Sequence, residues 1–447
     1  MLLSSLGTSV ANVGLPTFAK TFGASFGQVQ WVVLAYLLAV TSLIVGAGRL
    51  GDLVGRRRLL LAGIVLFTAA SALCGSAPTL WLLVAARAAQ GLGASVMMAL
   101  TMAFVADIVP KGGTGRAMGL LGTMSAVGTA LGPSLGGFLI AGPGWRWIFL
   151  VNLPLGAAAF LLARRHLPAD RAPAGREPFD ALGTILLAGT LCAYALAMAV
   201  EHGRFGPFNL ALLAVASAGA GLFVVAERRA AAPLIRLAML RDPGIAGALA
   251  ASGLVATVMM ATLVVGPFYL ARTLGLSPAL VGLLLSVGPA VAALTAVPAG
   301  GLTDRVGTRR TALAGLAAIA AGCSALALLP AGLGIFGYVA GMVVVTSGYA
   351  VFQTANNSAV MADVAPDRRG LVSGLLNLSR NLGLVTGASA MGAVFASASG
   401  ARDPAAASAA SVAAGMHATF AVAAAAILAG LFILASTAER PASALSA

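Results

Sequence analysis

The chain has 447 residues, of which 60% are hydrophobic and only 9% charged, and its mean hydropathy is +0.98. Those values exclude a soluble globular domain and describe a polytopic membrane protein. The formal net charge of +14 would suit a nucleic-acid binder, but the positive residues follow membrane topology and imply no nucleic-acid partner.

Apolar runs of spanning length, separated by short polar or glycine-proline breaks, predict helices near 1–19, 30–50, 59–77, 79–106, 117–140, 145–163 and 181–200. Seven more follow near 210–226, 245–271, 278–301, 311–330, 332–355, 371–397 and 416–436, making fourteen spans. The opening MLLSSLGTSVANVGLP lacks the basic region of a secretory signal and reads as span 1, short at its beginning in the manner of a truncated or late-assigned start. When the loop after span 2 is placed in the cytoplasm, that side collects twenty Lys/Arg. The other side holds five, Lys20, Arg146, Arg204, Arg272 and Arg402, while Arg87 and Arg380 fall inside helices. This bias puts both termini in the cytoplasm, and the two lysines among 27 basic residues suggest a GC-rich bacterial genome, hence a bacterial inner membrane. Cys74, Cys192 and Cys323 lie far apart within spans, as small buried hydrophobes rather than disulfide or metal ligands.

The chain also contains itself twice. GRLGDLVGRRR at Gly48 to Arg58 matches GGLTDRVGTRR at Gly300 to Arg310 in seven of eleven positions, at an offset of 252. AFVADIVP ending at Pro110 is echoed by AVMADVAP ending at Pro366, and Gly119, Gly128 and Gly132 by Gly374, Gly383 and Gly387. Parallel repeats of this kind predict two six-helix bundles related by an axis along the membrane normal. The expected organisation is an N-terminal bundle over 1–163, linkers with two inserted helices over 164–244, a C-terminal bundle over 245–436 and a cytoplasmic tail over 437–447.

Span 5 carries the most informative pattern, GLLGTMSAVGTALGPSLGG, with Gly128, Gly132 and Gly136 four apart, Pro133 inside and Gly137 closing it. Small residues at that spacing share a helix face and admit another backbone, while Pro133 removes the hydrogen bond to the Thr129 carbonyl. The set Gly119, Gly128, Gly132, Pro133, Gly136 and Gly137 resembles the antiporter motif of proton-coupled exporters in the major facilitator superfamily. With LGTSVANVGLP in span 1, WRWIFLVNLPLG at Trp145 to Gly156 and the 6+2+6 arrangement, the chain resembles the fourteen-spanning drug:proton antiporters, the EmrB/QacA-type branch. That resemblance implies an all-α major facilitator fold that exports small organic or drug-like molecules by alternating access, powered by a proton gradient and without a cofactor or metal. An importer or uniporter on the same fold is the alternative. A membrane-embedded lipid-modifying enzyme is the third, disfavoured because His166, His202 and His417 are far apart without acidic neighbours at catalytic spacing. No oligomeric state is legible, and a monomer is compatible with the pattern.

Asp52 sits in a tight turn among Arg49, Arg56, Arg57 and Arg58, where a carboxylate at a helix end can accept hydrogen bonds from another helix's N-terminal amides. The resemblance implies that Asp52 and Arg56 form a gate latch with Asp107. In the second repeat Asp304 and Asp363 persist while Thr308 replaces Arg56, which predicts a weaker latch. Arg87 lies inside span 4, where a charge needs a cavity or a partner, and the family match across Arg87, Gln90 and Gly91 implies proton handling. Arg380 in span 13 has no such match, leaving structural and anion-binding roles open.

Family members commonly carry leucine-aspartate before the span-1 motif, whereas this chain has Leu6-Gly7, and each of its thirteen acidic residues falls at a helix end or in a loop. That absence predicts a preference for neutral or anionic molecules over lipophilic cations. Family geometry lines a central cavity with spans 1, 4, 9 and 12, which offer Asn12, Gln90, Met97, Met260, Phe268, Tyr349, Phe352, Gln353 and Asn356.

Overall fold

The computed structural model describes residues 1–24, 26–110, 113–170, 180–199, 206–230, 233–235, 239–362, 364–400 and 408–436, and these form helices with short connections and no strand. Among the described residues thirteen helices are long and apolar enough to cross a membrane, and α1 (Leu2–Phe22) adds the shorter apolar stretch Leu2–Leu15. The N-terminal bundle contains α1, α2 (Phe26–Val54), α3 (Arg56–Ser76), α4 (Leu80–Ile108), α5 (Thr114–Ala141) and the pair α6 (Trp147–Leu150) and α7 (Asn152–His166), which together make one span. A hairpin, α8 (Ala181–Ala199) and α9 (Pro207–Arg229), follows. The C-terminal bundle contains α10 (Pro243–Phe268), the span α11 (Pro278–Leu285) with α12 (Val287–Val306), α13 (Thr308–Ala327), α14 (Gly334–Ala362), α15 (Arg369–Ser399) and α16 (Ala409–Ser436).

Local chemistry sets the breaks. Thr79 caps α4 by accepting from the Leu82 N–H at 3.3 Å, and Asp242 caps α10 by accepting from Gly244 and Ile245, with Pro243 at the first helical position. Gly55 (φ 111°) and Gly307 (φ 96°) make the equivalent reversals between α2 and α3 and between α12 and α13, in a backbone region that strains any residue with a Cβ. Past Pro267, α10 relaxes into a π turn over Tyr269–Thr273, the expected response to a lost backbone hydrogen bond.

Packing repeats with the sequence. The close pairs α1–α5, α3–α4 and α2–α4 recur as α10–α15, α13–α14 and α12–α14, and the bundles meet along α2–α15 and α5–α12. Inside a membrane these associations rest on close packing and hydrogen bonds rather than on release of water. Gly63 and Gly93 let α3 and α4 touch backbone to backbone, and Gly315 and Gly348 do the same for α13 and α14.

The inserted hairpin lies outside this symmetry, with α8 packed against both α2 and α15. Thr184 abuts Gly46 of α2, Tyr194 Oη shares a 2.5 Å hydrogen bond with Thr386 Oγ1 of α15, and Ser389 Oγ donates to the Met198 carbonyl. One helix thereby touches both bundles across their seam.

Candidate functional site

Arg56, Arg57, Arg58, Arg164, Arg165, Arg309, Arg310 and Arg369 mark one end of the molecule, the basic face, and the bundles are tied together there. Asp52, near the end of α2, accepts from the first amides of α15, Gly370 N–H at 3.0 Å and Leu371 N–H at 2.9 Å. A carboxylate at a helix N-terminus meets unsatisfied donors and the positive end of the helix dipole. Asp304 repeats the arrangement on α5, accepting from Gly115 N–H at 2.8 Å and Arg116 N–H at 3.0 Å.

Arg56 adds a bridge on the first side. Its guanidinium donates to Asp52 Oδ1 at 2.7 Å and 2.9 Å, to Asp107 Oδ2 and to the Pro366 carbonyl. Arg369 donates to the other Asp107 oxygen at 2.6 Å, so Asp107 joins arginines of both bundles. Among the described residues Asp304 has two amide donors, and Thr308 stands where the first repeat has Arg56. Asp363 lies outside the described residues. Sequence reasoning missed Arg369; its signal was adjacency to Gly370, the repeat partner of Gly115.

The α5 glycines divide between two partners. A Cβ at Gly119 would strike the Ala296 carbonyl of α12 across the bundle seam, and one at Gly115 would meet Gly300 and Asp304 there. Gly128, Gly132 and Gly136 instead face Leu2, Ser9 and Val10 of α1 in the same bundle. Ser9 Oγ donates to the Gly128 carbonyl, and α5 stays helical through Pro133. Nothing lies within 4 Å of a Cβ built at Gly137. The second repeat copies the division: Gly370 and Gly374 face α2 at Gly48 and Ile44, while Gly383 and Gly387 face α10 at Gly253 and Thr257.

Arg87 is fully buried inside the N-terminal bundle. It donates to the Val32 carbonyl at 2.9 Å, the Gly7 carbonyl at 3.0 Å and Gln90 Oε1 at 2.5 Å, with its Cζ 4.2 Å from the centre of the Tyr36 ring. Gln90 passes the chain on to Ser71 Oγ at 2.7 Å. Carbonyls and an aromatic face thus solvate much of the guanidinium, while Nη2 is buried without a hydrogen-bond partner.

This network alters two expectations about the cavity. Gln90 is fully buried in its own bundle, because Arg87 and Ser71 occupy its amide. Gly7 points inward too, its missing Cβ 3.2 Å from Phe67 and 3.5 Å from Tyr36 Oη, so an acid there would sit beside Arg87 rather than between the bundles.

The remaining cavity candidates are dispersed. Phe352 belongs to the apolar interior of its bundle, Met97 to an apolar cluster that the N-terminal bundle shares with Leu371, Leu375 and Leu378 of α15, Phe268 packs on Phe395, and Asn356 donates to the Ala248 carbonyl. Asn12 is exposed, and Met260 and Tyr349 are half-buried. Gln353 alone among them lines the small cavity between the bundles, of about 40 Å³, with Ser125, Asn357, Asn377 and Arg380.

Both repeats therefore present an acid seated on the opposite bundle's helix N-terminus, at a seam that only glycine permits. A profile of the Major Facilitator Superfamily matches residues 1–388 and, a second time, 248–447. The chain belongs to that superfamily. It is 33% identical over 398 residues to the multidrug resistance protein Stp of Mycobacterium tuberculosis (strain CDC 1551 / Oshkosh), covering 87% of this chain and 72% of that protein. It is 31% identical over 396 residues to the riboflavin transporter RibZ of Clostridioides difficile (strain 630), covering 89% and 86%. Among solved structures, the proton:xylose symporter XylE aligns with a TM-score of 0.68 at 14% identity over 98% of this chain and 93% of that one. The human organic anion transporter MFSD10 aligns at 0.64 and 18% over 97% of each chain. The protein is a polytopic major facilitator transporter and not an enzyme.

The geometry predicts unequal latches. Asp52→Asn removes the charge that holds two amides and Arg56, a loss of about 1.5–3 kcal/mol for charge-assisted bonds, whereas Asp304→Asn affects two amides among the described residues. Transport at matched expression should fall by roughly tenfold in Asp52→Asn, and less in Asp304→Asn. Equal activities of the two variants would dissociate the Arg56 bridge from gating.

Proposed function

We propose that this chain exports small organic molecules from a bacterial cytoplasm by alternating access, as a proton antiporter of the fourteen-spanning drug:proton branch. The observation that carries the reading is the paired latch. Two carboxylates, Asp52 and Asp304, each seat on the first amides of the opposite bundle's glycine-faced helix, and both hold in the same state. The named ties lie toward the basic face, and its excess of arginine supports a cytoplasmic location for that face. A transporter closed on that side presents its central space outward, and release of the ties lets the bundles rock to admit substrate from inside. The likeness to the protein Stp supports a drug-like substrate range.

A proton gradient can drive this cycle if protonation loosens the acid ties on one stroke and deprotonation restores them on the other. Reconstituted protein with an imposed pH gradient tests the proposal with ethidium, riboflavin and carboxyfluorescein as cationic, neutral and anionic probes. The expected result is uphill accumulation that collapses when the gradient is dissipated, with downhill exchange preserved. Uphill movement that persists without the gradient would reject antiport. The second reading, an importer or uniporter, draws support from one observation: Gly7 stands where the resemblance expects an intramembrane acid. Downhill equilibration unaffected by pH would favour it.

A further inference from the structure

Arg380 differs in its setting from the arginines that mark the basic face. It lies eleven residues into α15, about 16 Å along the helix from the basic face, at bilayer depth. It lines the cavity of about 40 Å³ between the bundles, and its Nε is buried without a hydrogen-bond partner. Arg87 shows how this fold covers a structural guanidinium, with two backbone carbonyls, an amide oxygen and an aromatic ring, although its Nη2 is also buried and unpaired. Arg380 has no comparable covering among the described residues.

The cavity wall is mostly apolar, built from Met1, Met102, Met118, Leu121 and Leu376, and the polar groups that face Arg380 across it carry no opposite charge among the described residues. Gln353 donates to Asn357 Oδ1 at 3.0 Å, which leaves Gln353 Oε1 buried and unpaired. Asn377 is anchored through its amide to the Ser373 carbonyl, and Ser125 contributes a hydroxyl from the opposite bundle, paired with Ser5. No carboxylate among the described residues lines this space. Asp52 meets α15 at Leu371, nine residues or about 14 Å of helix away, and its oxygens are already engaged.

We propose that Arg380 anchors the anionic group of an organic-anion substrate, in a subsite completed by Gln353, Asn357, Asn377 and Ser125. The inference rests on the reading of the chain as an alternating-access transporter and names the substrate class of its central site. An uncompensated guanidinium at this depth is costly, and a carboxylate or sulfonate supplies both the countercharge and a planar pair of acceptors that match its fork. A lipophilic cation meets repulsion strengthened by the low dielectric. In the closed-inside state the space holds about one water, so the body of the substrate enters as the bundles separate.

A matched fluorescent series tests the subsite: dansylglycine, dansylamide and dansylcadaverine, respectively anionic, neutral and cationic, bound to the full chain in phosphatidylcholine nanodiscs. Wild type should bind dansylglycine on the order of tenfold tighter than dansylamide, with dansylcadaverine weakest. Arg380→Gln should bring dansylglycine to the dansylamide level with an unchanged unfolding temperature, and Arg380→Lys should keep part of the preference. Equal binding of the three, no binding of dansylglycine, or undiminished preference in Arg380→Gln overturns the subsite. Counterflow of the same probes separates the two readings. Arg380-dependent binding without movement of any probe would leave the subsite standing and sink the export reading. Movement of all three without charge preference would do the reverse.

Discussion

Gly48→Val and Gly300→Val should each abolish most transport while leaving the protein folded and the basic face open. A Cβ at Gly48 collides with the Gly370 carbonyl of α15, and one at Gly300 collides with Gly115 of α5. Both obstacles are backbone, which cannot rotate away, so the bundles must part at this face. Overpacking of this kind costs about 1–3 kcal/mol, enough to shift a two-state equilibrium by roughly 5- to 150-fold. Met118, buried beneath the seam among residues of both bundles, provides the reporter. With Cys74, Cys192 and Cys323 replaced, Met118→Cys should react slowly with a membrane-impermeant maleimide from the basic side. Adding Gly48→Val should speed that reaction by on the order of tenfold or more. Gly137→Val, with open space around it, should behave like wild type. Normal transport by Gly48→Val, or unchanged labelling, would show that the seam does not close during the cycle.

Arg87→Ala should be the most destabilising single change in the N-terminal bundle. It strips the Gly7 and Val32 carbonyls and Gln90 Oε1 of a charged donor and leaves them in a dry interior. The expected cost is about 3–5 kcal/mol, read as a fall in unfolding temperature on the order of 10 °C in detergent. Arg87→Lys should recover only part, because an ammonium lacks the flat fork that reaches α1, α2 and Gln90 together. Arg380→Gln, which removes no hydrogen bond among the described residues, should leave that temperature unchanged. If Arg87→Ala unfolds like wild type yet fails to transport, the residue acts in coupling and not in holding the bundle.

The spans and the repeat were legible because each rests on local chemistry. Long apolar runs end in arginine and glycine, and GRLGDLVGRRR recurs as GGLTDRVGTRR at a fixed offset. Asp52 and Asp304 stood out for the same reason, as acids beside turns that Gly55 and Gly307 alone can make. The two-sided use of α5 was only half legible. Gly119 and Gly128 are nine residues apart, about 180° around a helix, so they cannot serve one seam. That Gly119 meets α12 while Gly128 meets α1 follows only from how the bundles dock.

Composition and pattern by themselves determined that this chain is all-helical and crosses the membrane many times, and which helix ends carry the acids. The tertiary structure decided the partners. Arg87 takes its carbonyls from residues 55 and 80 positions away, and Asp107 takes Arg369 from 262 positions away. It also turned Gln90 into its own bundle and left Arg380 on the cavity wall. A helix's sequence specifies which residues share a face, because 3.6 residues make a turn, but its rotation is set by the neighbours it packs against. Membership of the cavity depends on that rotation in several helices at once, so it appears only when they are assembled.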